Sequence, residues 1–114
     1  MNNISHGFTF PSDSEAAYHF NAKVTNFIED RNLQIDYNYA IPPNNDNSGN
    51  IKCDEFNNGV YTGTYDEHYQ GIHDHGKVWY RITRNENRPP YLHGEWKSLK
   101  EKAERGYDIF VGNQ

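Results

Sequence analysis

The sequence predicts an α+β domain with an N-terminal amphipathic helix, an antiparallel sheet of about four to five strands and a short C-terminal helix. Two capping boxes, each a serine three residues before a glutamate, predict where the helices begin. Alternation of apolar and polar residues in two later segments predicts strands. The 114 residues fit one domain, residues 1–114, and nine Tyr, six Phe and two Trp indicate a folded aromatic core despite a mean hydropathy of -1.07.

The first helix is expected over residues 13–31. Ser12 and Glu15 form its capping box, in which each side chain satisfies a backbone N–H of the other residue. Apolar residues then recur three and four positions apart, which is typical of one helix face; these residues are Ala16, Ala17, Phe20, Val24, Phe27 and Ile28.

The first strand is expected over residues 33–41, where every second residue is apolar. Pro42 and Pro43 end it because proline cannot donate to a strand ladder. Residues 42–58 are rich in Asn, Asp, Ser and Gly and predict a loop or mobile insert. A second strand is expected over residues 60–65, which are mainly β-branched and aromatic.

The second half of the chain predicts a hairpin. Residues 66–76 are polar and turn-like, and residues 77–84 alternate, with Val78, Tyr80 and Ile82 on one face. Residues 85–90 predict a turn, and residues 91–96 the returning strand.

The chain is expected to end with a short helix and a final strand. Ser98 and Glu101 form the second capping box, and Arg105 and Gly106 supply the features of a helix C-terminus. Residues 107–111 predict the last strand.

The distribution of charge limits the kinds of partner that this protein can be expected to bind. The formal net charge is -5, and the whole imbalance precedes residue 61, where eight Asp and Glu accompany three Lys and Arg. Direct nucleic-acid binding is not expected, because it normally needs a net basic face. An acidic face can instead meet a basic partner, while a merely solubilising surface is the simpler explanation of the charge.

The first functional hypothesis is therefore a small acidic protein that binds and inhibits another macromolecule. Its specific form is a phage or mobile-element protein that occupies the nucleic-acid-binding surface of a host defence protein. Tyrosine is enriched at such interfaces. The candidate partner-binding residues are Asp13, Glu15, Glu29, Asp30, Asp36, Tyr37, Asp46, Asp54 and Glu55.

The second hypothesis is a histidine site. His68, His73 and His75 lie within eight residues and could bind a metal ion with Glu67, Asp74 or Cys53. The same histidines could act as general acid and base in a small ribonuclease, with Arg81 stabilising the phosphorane. A polar loop with exposed histidines is the simpler explanation, so no catalytic residue, metal or cofactor is expected.

A third hypothesis is a nucleotide or small-ligand binder. Trp79, Arg81 and Tyr91 could present aromatic and cationic groups together, although Trp79 could also cover the sheet against a helix. A cytoplasmic protein is expected. Cys53 is the single cysteine and cannot form an intramolecular disulfide, and no stretch is apolar enough for a membrane span.

Overall fold

Eight antiparallel strands form a closed barrel in which each strand pairs with the next and the last pairs with the first. The computed structural model describes residues 1–41, 44–100 and 104–112, and its description of side chains leaves out residues 44 and 45. The strands are β1 (Ile4–Pro11), β2 (Tyr18–Ile28), β3 (Asn32–Ile41), β4 (Asn44–Asn57), β5 (Val60–Tyr69), β6 (Ile72–Asn85), β7 (Arg88–Ser98) and β8 (Arg105–Gly112).

The predicted α+β fold with two helices was wrong, because the described residues form an all-β barrel. The individual strands were predicted better than the fold. Those expected at residues 33–41, 60–65, 77–84, 91–96 and 107–111 are confirmed as parts of β3, β5, β6, β7 and β8.

β2 replaces most of the first predicted helix, and a β-bulge explains the error. Phe20, Ala22 and Val24 alternate toward the barrel interior. The register then shifts between Val24 and Asn26, so that Phe27 is the next residue to pack against the core. This extra residue makes a step of three, and Phe20, Val24 and Phe27 therefore imitate helical spacing.

The hydroxyls of the two serines expected to cap helices donate hydrogen bonds to other strands. The Ser12 hydroxyl donates to the backbone oxygen of Arg105 at 3.0 Å, which ties the β1–β2 connection to β8. The Ser98 hydroxyl donates to Asp74 Oδ1 at 2.7 Å from the last residue of β7. The second predicted helix was wrong at its ends, which lie in β7 and β8, and its central residues 101–103 lie outside the described residues.

β4 occupies the segment predicted to be a loop or mobile insert. It pairs with β3 on one side and β5 on the other, and Ile51, Cys53 and Phe56 pack inward. The hairpin to β5 turns at Asn58 and Gly59, whose φ angles of 52° and 81° are left-handed. Such a two-residue Asn-Gly turn matches the twist of paired strands.

The barrel has two unlike ends. The β2–β3, β4–β5 and β6–β7 turns share one end with both described chain termini, and the other four connections share the opposite end. We call the first the closed end, because it is filled by fully buried Leu33, Val78, Leu92 and Phe110. The opposite end, which we call the mouth, opens into a cavity.

Candidate ligand-binding site

The barrel encloses a cavity of about 750 Å³ that reaches from the mouth to the middle of the barrel. All eight strands contribute to its wall, because inward positions alternate along each strand. The lining side chains that carry its chemistry are Thr9, Phe20, Tyr37, Tyr39, Tyr65, Glu67, Tyr69, Asp74, Tyr80, Trp96, Ser98 and Asp108.

One wall of the cavity is aromatic. The Phe20 ring lies 4.7 Å from the Tyr37 ring and 4.8 Å from the Tyr39 ring, measured between centroids, and the Tyr39 and Tyr69 rings stack at 6.1 Å. Gly49 on β4 makes room for this wall, since a Cβ atom there would lie 2.4 Å from the Tyr37 hydroxyl. The wall offers flat apolar faces to anything inside the barrel.

Two carboxylates face each other near the mouth. Glu67 on β5 pairs directly with Asp74 on β6, and both line the cavity. The Tyr37 hydroxyl donates to Glu67 Oε1 at 2.8 Å, and the Tyr65 hydroxyl donates to Asp74 Oδ2 at 3.0 Å. Burial raises the pKa of Glu67, the hydroxyls of Tyr37 and Tyr39 oppose that rise, and the charge of Asp74 adds to it. Like charges placed directly opposite on a ladder are destabilising.

Asp108 is the most buried carboxyl group among the described residues that line the cavity. Only 5% of this residue is exposed, and its Oδ2 accepts a hydrogen bond from the Tyr80 hydroxyl at 2.6 Å. Its Oδ1 is buried and accepts no hydrogen bond of ordinary geometry in the described part of the chain, although the Thr9 hydroxyl is close enough to stabilise the charge. Burial raises the pKa of Asp108 to about 7, the hydroxyls of Tyr80 and Thr9 oppose the rise, and the charge of Glu67 adds to it.

The remaining polar groups place acceptors, more than donors, toward the cavity. The Trp96 indole N–H donates to Thr9 Oγ1 at 3.0 Å and is therefore already satisfied. Tyr37, Tyr65 and Tyr80 each direct the hydroxyl proton at a carboxylate. Tyrosines in this environment stay protonated, since burial and the neighbouring carboxylates raise their pKa values.

The histidine cluster lies on the outside of the barrel. His68 and His73 are cross-strand partners with rings 4.9 Å apart, and His73 Nε2 lies 2.6 Å from Asp66 Oδ1. His75 follows on the same outer face, with its ring 6.0 Å from that of His73. Among the described residues, no group of three or more metal-ligating side chains is close enough to hold a metal ion.

The other members proposed for the histidine site lie elsewhere. Cys53 faces the core, where burial raises the pKa of its thiol to about 12. Arg81 is six residues beyond His75 along β6, which corresponds to roughly 20 Å of strand. The structure therefore brings the three histidines together but does not bring Arg81 or Cys53 to them.

The acidic residues expected to bind a partner are spread over the barrel. Asp13 and Glu15 lie at the mouth, whereas Glu29 and Asp30 lie in the β2–β3 turn at the closed end. Tyr37 points into the cavity and is 6% exposed. The remaining residues of that set are exposed along the strands, Asp36 on β3 and Asp46, Asp54 and Glu55 on β4.

Trp79, Arg81 and Tyr91 share the outer face of the β6–β7 hairpin. Trp79 pairs with Glu95, and Arg81 pairs with His93. Trp79 is half-buried although no described helix covers it. The structure thus places these three residues on one surface, and that surface is separate from the cavity.

The sequence did not predict the cavity. Asp13 and Tyr37 were expected only to bind a partner, and Glu67 and Asp74 only to complete a histidine metal site. The signal for Tyr37, Tyr39 and Tyr80 was present, because they occupy the apolar face of predicted strands. No such signal marked Glu67 or Asp108, which are charged residues at inward positions.

No protein-family model, curated protein or solved structure matches this chain. Within the described ranges, no helix is present that is long and apolar enough to cross a membrane.

Proposed function

We propose that this protein binds a small organic molecule in the barrel cavity and holds it without transforming it. The observation that carries the proposal is the cavity of about 750 Å³ itself. Ligand pockets typically measure about 300–1,000 Å³ and combine apolar or aromatic walls with a few placed polar groups. An eight-stranded barrel is just wide enough to hold one small ligand.

The polar groups of the cavity support the same conclusion. Glu67, Asp74 and Asp108 are charged groups that a purely structural interior would replace by apolar ones, because burying them opposes folding. Their hydroxyl partners fix them in place, which is the arrangement expected of groups that orient a ligand.

A cavity-filling substitution tests the proposal. Ile51 lines the cavity and is almost fully buried, so Ile51→Trp places an indole where the ligand would lie. Thr64→Trp is the matched control, since Thr64 is exposed on the outer face of the neighbouring strand β5. Both variants are first checked for folding by circular dichroism and thermal melting, and Ile41→Trp, nearer the mouth, replaces Ile51→Trp if that variant does not fold.

The measurement is ligand-induced stabilisation across a chemically varied panel of small molecules. A ligand at roughly 100 times its Kd stabilises a protein by about 2.7 kcal/mol. We expect at least one compound to raise the melting temperature of the wild type and of Thr64→Trp, and to leave the cavity-filled variant unchanged. Compounds that stabilise all three proteins equally, or none at all, would contradict the proposal.

A partner-binding role is a second candidate, and exposed aromatic residues favour it. Phe8 and Phe10 are 36% and 44% exposed on the outside of β1, and Tyr107 pairs with Phe10 from β8. The Phe8 ring also lies 5.1 Å from that of His19 on β2. Contiguous exposed apolar surface marks interaction sites on many proteins.

This second role has its own test. If a macromolecular partner docks on the outer face, the double variant Phe8→Ser/Phe10→Ser should lose a partner that co-purifies stoichiometrically with the wild type. Ile51→Trp should retain that partner, because Ile51 lies inside the barrel. Unchanged co-purification of the double variant would argue against docking on this face.

A further inference from the structure

The cavity that we assign to a ligand is lined by more acidic than basic side chains. Five carboxyl groups of described residues line it, and Lys100 is the only basic residue among the described ones that do; the acidic residues are Asp13, Glu67, Asp74, Glu104 and Asp108. Lys100 is exposed at the mouth, in the β7–β8 connection, and therefore leaves the interior without a counter-charge from the described residues. The potential inside the barrel favours a cation.

The carboxyl groups also act on one another. The charge of Asp74 raises the pKa of Glu67, and the charge of Glu67 raises the pKa of Asp108. Burial is the larger cause in both cases. A positive group placed among them would remove the mutual repulsion and compensate the loss of water.

Asp108 supplies a separate indication that a ligand belongs here. Asp108 lines the cavity and is almost wholly buried, and its Oδ1 accepts no hydrogen bond of ordinary geometry from the described residues. A buried acceptor without a donor costs roughly 1–3 kcal/mol. Because Tyr80 already donates to the other oxygen, Oδ1 is the oxygen with capacity for a further hydrogen bond.

The carboxylates of the described residues are not grouped as a metal site requires. No group of three or more ligating side chains in the described ranges is close enough to share one ion. The aromatic wall of Phe20, Tyr37 and Tyr39 suits a larger cation, whose charge can rest against ring faces.

We infer that the ligand is an organic cation with N–H donors, whose charged nitrogen binds Asp108 and whose body packs against the aromatic wall. This inference rests on the proposed binding function and narrows it to one ligand class. Carboxylate and N–H pair through charge-assisted hydrogen bonds, which are about twice as strong as neutral ones.

The test compares probes of one shape and three charges: 3-phenylpropylamine, 3-phenylpropan-1-ol and 3-phenylpropionate. We expect calorimetry at pH 8 to give the amine at least a roughly tenfold lower Kd than the alcohol, which corresponds to one charge-assisted contact. The propionate should not bind. Asp108→Asn should reduce amine binding roughly tenfold and alcohol binding by less than about threefold, while Asp36→Asn, on the outside of β3, should change neither.

The pH dependence provides an independent readout. The titratable groups that face Asp108 are Tyr80 on β6, Tyr37 on β3 and Glu67 on β5. Both tyrosines keep their protons, and Asp108, whose pKa is about 7, is the group whose charge changes in this range. Amine affinity should therefore rise between pH 6 and pH 8, and Asp108→Asn should flatten most of that rise.

The outcomes separate the two proposals. Equal binding of the amine and the alcohol, or preferred binding of the propionate, overturns the cation assignment. If Ile51→Trp abolishes the binding of these compounds, the proposed binding function of the cavity still holds. The cation assignment is also overturned if neutral compounds bind in the cavity but neither this amine nor any other cation in the wider panel does. Failure of every compound overturns both proposals.

Discussion

At the scale of single residues, Asp108 links the stability of the barrel to pH. Its pKa is about 7 in the folded protein, against 3.8 as the ordinary value, because burial disfavours the charged form. The folded state therefore keeps a proton that the unfolded chain has lost between these two pH values. The resulting penalty is absent below about pH 4, grows as pH rises and is complete above about pH 7, where it amounts to roughly 4 kcal/mol.

Asp108→Asn should remove this pH dependence. We expect the free energy of unfolding of the wild type, relative to the variant, to increase by about 2–3 kcal/mol when pH falls from 8 to 5. Urea denaturation at a series of pH values measures the difference. Asp36→Asn, an exposed carboxylate on β3, is the control and should show no comparable trend. Parallel pH profiles for the wild type and Asp108→Asn would refute this account.

Tyr80→Phe should destabilise the charged form of the Asp108 carboxylate. The Tyr80 hydroxyl stabilises the charged form of Asp108 through the 2.6 Å hydrogen bond, so its removal raises the pKa of Asp108 further. We expect a loss of about 1.5–3 kcal/mol at pH 8 and a smaller loss at pH 5, where Asp108 is protonated. Thermal melts at the two pH values test this. Tyr91→Phe, on the outer face, should cost the same at both.

At the scale of elements, the strands that the sequence predicts are those whose alternation is uninterrupted. β3 places Leu33, Ile35 and Tyr37 inward without a break, and its extent was predicted closely. β2 contains a bulge that imitates helical spacing, and β4 carries polar residues that resemble a loop. The Asn58-Gly59 dipeptide was the local signal that could have identified β4 as half of a hairpin.

Gly49 has no side chain where the ring of its cross-strand partner Tyr37 needs the space. A Cβ atom there would lie 2.4 Å from two atoms of the Tyr37 side chain and 2.8 Å from the Asp66 backbone oxygen. We expect Gly49→Ala to lower the free energy of unfolding by about 1–3 kcal/mol, because the ring must move into the cavity or the strands must separate. Chemical denaturation measures this cost. Ser48→Ala, on the exposed face of the same strand, should stay within about 0.5 kcal/mol of the wild type.

At the scale of the whole molecule, closure creates the site. Asp108 and Thr9 come from strands at opposite ends of the chain and become direct neighbours when β8 pairs with β1. Nothing local in the sequence encodes that meeting, and charged residues such as Glu67 and Asp108 break the alternation that marks inward positions. The aromatic half of the cavity was therefore within reach of sequence reasoning, whereas its acidic half was not.

Closure also removes the free edges that an open sheet would have. We expect amide hydrogen exchange to protect the central residues of β1 and β8, such as Gly7 and Phe110, as strongly as those of β5 and β6. The Asn58-Gly59 turn should exchange much faster and serves as the internal reference. Rapid exchange throughout β1 and β8 would indicate that the barrel is open in solution.

An even number of strands returns the chain to the side on which it started. Ile4 and Gly112 pair with each other at the closed end, away from the cavity mouth. A reporter, resin or second protein joined through either terminus would consequently leave the mouth unobstructed, so tethered molecules should sample solutes as freely as untethered ones.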